Sequence, residues 1–488
     1  MQEIDQASLE LHEKLRGKLA TVPKRHVGGP KDLALLYTPG VAAPCRAIAR
    51  DPGLVYSYTG KGNLVAVVSD GSAVLGLGNI GPEAGLPVME GKALLFKDFA
   101  GIDAFPLVLA TQDTDEIVRV VRALAPSFGG INLEDIAAPR CFEIEKTLQE
   151  SLSIPVFHDD QHGTAIVVLA GLMNAAQFIE KPLKELRVVV NGAGAAGTAI
   201  SKMLLSAGLS DVVVCDRAGV LLDGDPSLNS AMGELAGMTN PRRIIGNLET
   251  ALRGADVFIG VSAPRLLEPA WIKTMGSAPV VFALANPDPE ILPDEAHAAG
   301  AKVVATGRSD LPNQINNVLA FPGIFRGALD VRATEVSQAM KLAAAQAIAS
   351  LVPVQERLRG VIVPPPFHPS LAFAVALSVA EAAIKSGVAQ DSFSRPDLIR
   401  KIQTMLSRTG FSRGKTDENM EATMNHYQEK IGEGLVRIGV LSSSQCAEVI
   451  SLQNSGDKRL FGEIALAKGY LDFDTLIHYL QTSSKREL

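Results

Sequence analysis

Short apolar runs alternate with helix-length stretches through the middle of the chain. Leu64-Val65-Ala66-Val67-Val68 reads as a buried strand and residues 104–109 as a second. Between about residues 170 and 318 the runs 187–190, 211–214, 256–259, 280–283 and 302–304 are rich in β-branched residues. Each is long enough for a strand buried on both faces, and the stretches between them are long enough for helices. That alternation predicts an α/β fold with a doubly wound parallel sheet of the Rossmann type. Residues 334–351 and 369–386 are Ala-rich with helical spacing and are expected to pack back on the first domain.

After residue 388 the pattern changes. Residues 389–424 are polar and read as a linker or exposed helix. In the last segment, 425–488, Gly432, Glu433, Val436, Gly439, Leu441, Cys446 and Ile450 are matched at an offset of 30 by Gly462, Glu463, Leu466, Gly469, Leu471, Leu476 and Leu480. Each copy reads as helix, Gly-centred turn, helix, and two such hairpins predict a small all-α domain.

With 488 residues the chain is sized for roughly two to four domains. Its 47% hydrophobic content supplies ample core, and a net charge of -7 offers no basic footprint for nucleic acid. No apolar run is long enough to span a bilayer, so no membrane role is expected, and the N-terminus lacks the apolar stretch of a signal peptide. The final Lys485-Arg486-Glu487-Leu488 looks like an ER-retention tail but carries no address without such a peptide. Four scattered cysteines form no CxxC pair, which fits a cytoplasmic protein.

GxGxxG occurs twice. At Gly76–Gly81 it is followed by Pro82, Gly85 and Pro87, and no helix is expected to start there; a structural or substrate-side loop is the reading. The second, Gly192, Gly194 and Gly197, follows the strand at 187–190 and opens a helix expected over residues 198–207. The next strand ends in Asp216, 19 residues after the last glycine, placed to bind the adenosine ribose. Asp216 favours NAD by repelling a 2′-phosphate, whereas Arg217 offers such a phosphate a partner. NAD and NADP both stay open.

Glu134-Asp135 and Asp159-Asp160 lie about 25 residues apart, each pair after an expected strand. Adjacent parallel strands would bring these carboxylates to one crevice, where a hard cation such as Mg²⁺ or Mn²⁺ would hold them together. Zinc is the alternative, because His158 and His162 stand at i, i+4. The bland reading is that the acidic pairs cap strand ends.

Phe157-His158-Asp159-Asp160-Gln161-His162-Gly163-Thr164 resembles the most characteristic segment of the small bacterial malic enzymes. Residues 35–45 (LLYTPGVAAPC), 85–92 (GLPVMEGK), 132–135 (NLED), 285–287 (ANP) and 316–323 (NNVLAFPG) resemble that family too, in family order across about residues 8 to 388. The resemblance implies an amino-acid-dehydrogenase-like N-terminal domain (1–165, completed by helices within 320–388) and a cofactor-binding Rossmann domain (166–319). It implies oxidation of L-malate by NAD or NADP and decarboxylation to pyruvate. By similarity Glu134, Asp135 and Asp160 ligate Mg²⁺ or Mn²⁺, and Lys92 is the general base, its pKa lowered by burial and the metal. Asp159 orients Lys92 or relays its protons, and Tyr37 protonates the enol. Asn286 and Asn317 hold malate carboxylate and nicotinamide, and residues 1–45 pack across a homodimer. One departure stands out. Larger members carry a malate-binding arginine just before the Gly-x-Gly loop, where this chain reads Asp70-Gly71-Ser72-Ala73-Val74-Leu75.

The tail is too short for the phosphotransacetylase-like extension of long bacterial members. Its repeat resembles the N-terminal domain of type II secretion and pilus ATPases, some of which bind cyclic di-GMP. Those members place an arginine two residues before the first glycine of each repeat; Lys430 and Leu460 stand there instead. A protein-interaction or regulatory role is therefore expected ahead of nucleotide binding. Two other functions compete with malate decarboxylation. One is a dehydrogenase of another 2-hydroxy acid, which has no need of Tyr37. The other is a non-catalytic metabolite sensor, which has no need of the intact acidic and Lys92 set.

Overall fold

Two parallel sheets follow the apolar runs. The computed structural model describes residues 2–74, 76–409, 440–455 and 461–471. The chain divides into two compact units, Met1–Phe411 and Ser412–Leu488.

In the first unit, strands β1 (Leu64–Ser69), β2 (Asp103–Val108), β3 (Gly130–Leu133) and β4 (Val156–His158) form a parallel sheet in the order β2-β1-β3-β4. Val65 and Val67 enter one apolar cluster and Ala66 and Val68 another. Burial on both faces explains why this strand is apolar without alternation. The chain steps from β1 out to β2 and then returns to the other side of β1, so a topological switch lies between β1 and β3.

The second sheet contains β5 (Arg187–Asn191), β6 (Asp211–Asp216), β7 (Gly219–Val220), β8 (Val257–Gly260), β9 (Val280–Ala283) and β10 (Val303–Thr306). Its order is β10-β9-β8-β5-β6-β7, parallel except that the two-residue β7 runs antiparallel to β6. The switch here falls between β5 and β8. All five expected strands form; β7 was not foreseen.

The helices needed below are α1 (Gln2–Leu15), α2 (Pro30–Leu36), α3 (Ala42–Arg50), α4 (Pro82–Ala100), α5 (Arg140–Ser151), α6 (Asp159–Phe178), α7 (Ala195–Ser206), α8 (Phe321–Asp330), α9 (Gln338–Ser350), α10 (Leu371–Lys385) and α11 (Arg395–Leu406). Helix α6 begins where β4 ends and buries Ala165 to Leu172 in a core shared by both sheets and by α8, α9 and α10. Of the Ala-rich segments, α9 lies against α6 and α10 packs on α8 and α9; it is α8, ahead of both, that lies against α4.

Two expectations are corrected. A helix does follow the first glycine motif, because Gly81 turns the chain at φ 83° and Pro82 takes the first helical position. There the missing N–H costs no intrahelical bond. Pro87 sits inside α4 and removes a single bond of the ladder. The polar stretch after residue 388 is not all linker, since α11 buries Leu398 and Ile402 against the body. Residues 410–424 lie outside the described residues.

In the second unit, α12 (Ser443–Asn454) and α13 (Phe461–Ala467) pack around Leu441, Cys446, Val449, Phe461, Ile464, Ala465 and Leu471. Gly469 has φ 69° and ends α13, the Gly-centred turn expected of the second repeat. Gly432, Glu433, Val436, Gly439, Leu476 and Leu480 lie outside the described residues. No described helix is long and apolar enough to cross a membrane.

Candidate active site

Strands β3 and β4 end side by side, with Leu133 opposite His158. The residues that follow, Glu134 and Asp135 from one strand and Asp159 and Asp160 from the other, therefore meet at one sheet edge. Glu134, Asp135 and Asp160 each place a carboxylate oxygen within 4.8 Å of the others. Asp135 has φ 54°, a left-handed conformation that aspartate tolerates better than most residues. That turn lets its N–H donate to Asp160 Oδ2 at 2.8 Å while its carbonyl accepts from Ala73 N at 3.0 Å.

Lys92 enters from α4. Its Nζ lies 2.8 Å from Glu134 Oε1, donates to Asp159 Oδ2, and sits 4.1 Å from the centroid of the Phe321 ring on α8. Asn132 Nδ2 donates to Glu134 Oε2 at 2.8 Å. Lys92, Glu134, Asp135 and Asp159 are all buried. The glycine at 163 is required by space: a Cβ there would stand 1.9 Å from Asp159 Oδ1 and 3.0 Å from Asn317 Cβ. Asn317, opening the short turn Asn317–Leu319, thus borders the acidic site.

Of the two causes expected to lower the Lys92 pKa, burial and the cation, burial alone does not suffice. Burial disfavours the Lys92 ammonium, but Asp159, Glu134 and Asp160 together outweigh it and hold the lysine above its ordinary range. The protein groups alone do not lower this pKa. Burial also pushes Glu134 up to about 7 and Asp159 and Asp160 up to about 6, with Lys92 pulling each back only in part. Within the trio, Glu134 and Asp160 resist joint ionisation and all three groups offer only oxygen, which fits a hard divalent cation whose charge would relieve both the burial and the repulsion.

The histidines do not form a zinc site. His162 Nε2 is 3.0 Å from Glu145 and its Nδ1 is 3.1 Å from Lys341 Nζ, so both ring nitrogens are engaged. Among the described residues, the acidic trio is the one cluster of acidic, imidazole or thiol groups close enough to share an ion.

At the second sheet a crevice of about 650 Å³ opens at the switch between β5 and β8. It is lined by Gly192 and Gly194 after β5, Asp216 at the end of β6 with Arg217 next to it, Ser262 after β8, and Pro139 four residues past Asp135. A Cβ at Gly197 would lie 1.7 Å from Gly192 O, whereas Gly194 faces open space. With Gly192 at φ 124°, the turn needs two of its glycines for its own geometry and leaves Gly194 free for close ligand approach, with the amides of the α7 N-terminus beside it. Helix α7 starts three residues earlier than expected, at Ala195. Asp216 Oδ1 accepts from Ala218 N at 2.8 Å and Gly219 N at 3.2 Å, which fixes its carboxylate at the crevice. Asn286 follows β9, and its carbonyl packs on Gly76 so closely that a Cβ there would lie 2.5 Å away. The first glycine loop is thus a wall beside Asn286.

This combination of sites coincides with two family matches. Residues 16–149 match the malic enzyme N-terminal domain and residues 161–384 the malic enzyme NAD binding domain. The chain belongs to the malic enzyme family. It is 54% identical over 399 residues to the bifunctional malic/malolactic enzyme of Bacillus subtilis, covering 82% of this chain and 97% of that protein. It is 56% identical over 374 residues to the NAD-dependent malic enzyme of Geobacillus stearothermophilus, covering 77% and 78%. The crystal structure of malic enzyme from Pyrococcus horikoshii superposes with a TM-score of 0.79 at 49% identity, over 87% of this chain and 99% of that one.

One residue that the malic enzyme resemblance assigns to the site stands apart in the single chain. Tyr37 is 66% exposed, and among the described residues no hydrogen bond ties its hydroxyl to the carboxylates. Helices α2 and α3 on either side of it bury no residue, and Leu33 and Leu35 are exposed.

Four residues of this malic enzyme site went unnamed in the sequence reading. Arg140 Nη2 donates to Asp70 Oδ2 at 2.9 Å and Ser72 Oγ at 3.0 Å, in the segment where larger malic enzymes carry their arginine. Glu290 accepts from Ser262 N at 3.2 Å and Ala285 N at 3.0 Å, tying the ends of β8 and β9 beside Asn286. Glu145 and Lys341 hold His162. Arg140 and Lys341 meet partners 68 or more residues away, and no motif announces any of the four.

Proposed function

We propose that this chain oxidises L-malate at C2 with NAD⁺ or NADP⁺ and decarboxylates the product to pyruvate and CO₂. The observation that carries the reading is the buried contact of Lys92 with Glu134 and Asp159, beside a trio of oxygen ligands and a dinucleotide crevice. Glu134, Asp135 and Asp160 would hold Mg²⁺ or Mn²⁺, and that ion, when bound, supplies polarisation of the C2 oxygen and charge stabilisation of the enolate left by CO₂.

Lys92 takes the C2 hydroxyl proton. To do so it must first become neutral, and cation charge on Glu134 and Asp160 would remove the anionic support that now holds its proton. Asp159, raised to about 6, is placed to receive or return that proton through its hydrogen bond to Nζ. A dinucleotide held in the crevice would supply the acceptor for the C2 hydride, while Asn286 and Asn317 orient carboxylate and amide by hydrogen bonds. Tyr37 protonates C3 of the enol. Its exposure, and the unburied α2 and α3 around it, support a homodimer in which this segment docks on the partner's site.

For the C-terminal unit we favour a protein-interaction or regulatory module resembling the N-terminal domain of secretion ATPases, with cyclic di-GMP the lesser candidate ligand. The core reaction is tested with purified protein, L-malate, Mn²⁺, and NAD⁺ or NADP⁺ in parallel, following reduced cofactor and pyruvate together. Equal amounts of both are expected. Reduced cofactor without pyruvate selects a simple dehydrogenase, and binding without turnover selects a sensor.

A further inference from the structure

Beneath the acidic site runs a second buried polar chain that the reaction itself does not use. Glu145, on α5, accepts from His158 N at 2.9 Å, Gln161 Nε2 at 3.2 Å, His162 Nε2 at 3.0 Å and Gln149 Nε2 at 3.2 Å. Gln149 also donates to Val156 O of β4 at 3.1 Å. On the far side of the imidazole, Lys341 of α9 lies 3.1 Å from His162 Nδ1. Glu145 and Lys341 are both buried.

The chemistry of the donors fixes the direction of the chain. An ammonium can only donate, so Nδ1 of His162 accepts from Lys341. The ring proton then sits on Nε2 and donates to the Glu145 carboxylate. A buried pair of opposite charges joined through an imidazole adds little net stability compared with apolar residues of the same size. What this one does add is geometry. Glu145 holds the backbone of residue 158 and the side chains of 161 and 162, and so brackets Asp159 and Asp160 from both sides.

We infer that Glu145, His162 and Lys341 are positioning residues that set the orientation of Asp159 and Asp160, and with it the affinity of the acidic trio for a divalent cation. The inference rests on the metal reading given above. It links α9, from the segment after the Rossmann sheet, to the first turn of α6. Outer-shell partners of this kind commonly change metal affinity by ~10–100-fold when removed.

The test is the dissociation constant of Mn²⁺ for full-length protein, read from the spectroscopic signal of free Mn²⁺ without substrate. Compared are wild type, Asp135→Asn, His162→Leu, His162→Gln, Lys341→Met and the double His162→Leu/Lys341→Met variant. Binding of the reduced dinucleotide, followed by its fluorescence, reports that each variant is folded. His162→Leu is expected to weaken Mn²⁺ by ~10–100-fold. His162→Gln should stay close to wild type, because the amide still offers one donor and one acceptor. The double variant should be no weaker than the weaker single one, as members of one chain are not additive.

His162→Leu binding Mn²⁺ like wild type, while Asp135→Asn does not, would overturn the positioning role and leave the metal site standing. Equal weakening by leucine and glutamine would also overturn it, as a packing effect. Wild type that binds no Mn²⁺ removes the metal reading itself and this inference with it.

Discussion

Lys92 and Glu134 meet at 2.8 Å across the end of the first sheet, a lysine from α4 against a carboxylate that follows β3. Both are buried, and the same ammonium also binds Asp159. The residue proposed as base therefore shares a carboxylate with the proposed ion site, which would couple proton transfer to cation binding through Glu134.

Replacing Lys92 by alanine is expected to lower kcat by ~10²–10⁴-fold, the range for loss of a positioned acid–base group. Mn²⁺ binding should survive, because the change removes a positive charge from beside the ligands. Steady-state kinetics paired with Mn²⁺ titration checks this; near-normal turnover would refute the assignment.

Tyr37 offers a test by complementation. Tyr37→Phe and Lys92→Ala homodimers are each expected to be poorly active. Mixed dimers carry one site with both native residues only if the tyrosine crosses between copies, and they should recover up to half of the wild-type rate per such dimer. Mixing that restores nothing would place Tyr37 in its own subunit or outside the reaction.

Glu145 gives the acid-stability prediction. Burial opposes its charge, but His162, Lys341 and His158 together prevail and depress its pKa to about 2 from 4.5. A depressed carboxylate contributes stability that is present above about pH 4.5 and lost as pH falls toward 2. That shift corresponds to roughly 3 kcal/mol. The difference in unfolding free energy between wild type and Glu145→Gln should be steady from pH 5 to 7 and shrink below pH 4.5. A difference that persists unchanged to pH 3 contradicts the shift.

Deleting residues 425–488 is expected to leave basal turnover intact and to change its response to an effector. Rate measurements on both forms across metabolite and cyclic di-GMP titrations decide this, and superimposable response curves would argue against a regulatory tail.

What was legible in the sequence was local or periodic. Val188, Val213, Phe258, Val281 and Val304 announce buried strands because both faces of each are covered, and Gly192 and Gly197 announce the cofactor turn because its geometry excludes side chains there. The acidic trio was legible because adjacent parallel strands must end together. Helix α4 was missed because Pro82 and Pro87 look like breakers, although proline suits the first helical position. Glu145 was missed because within its helix it resembles any surface acid; the His162 that it holds is 17 residues away, and Lys341 on the other side of that ring is 179 residues beyond. The summed field of three carboxylates on Lys92 was not legible, because it arises only where the ends of two strands and a helix meet; burial alone does not lower the lysine's pKa against it.

The central claim is that the acidic trio holds the cation on which both chemical steps depend. Mn²⁺ titrated into chelator-stripped protein with saturating L-malate and cofactor, following reduced cofactor and pyruvate together, tests it most directly. Asp135→Asn is the matched variant, since asparagine keeps the left-handed backbone at φ 54° and removes only the charge. The account predicts that both products rise together on one Mn²⁺ saturation curve in wild type, and that the curve moves far to higher Mn²⁺ in the variant. Turnover without any divalent cation, or identical curves for the two proteins, would contradict it.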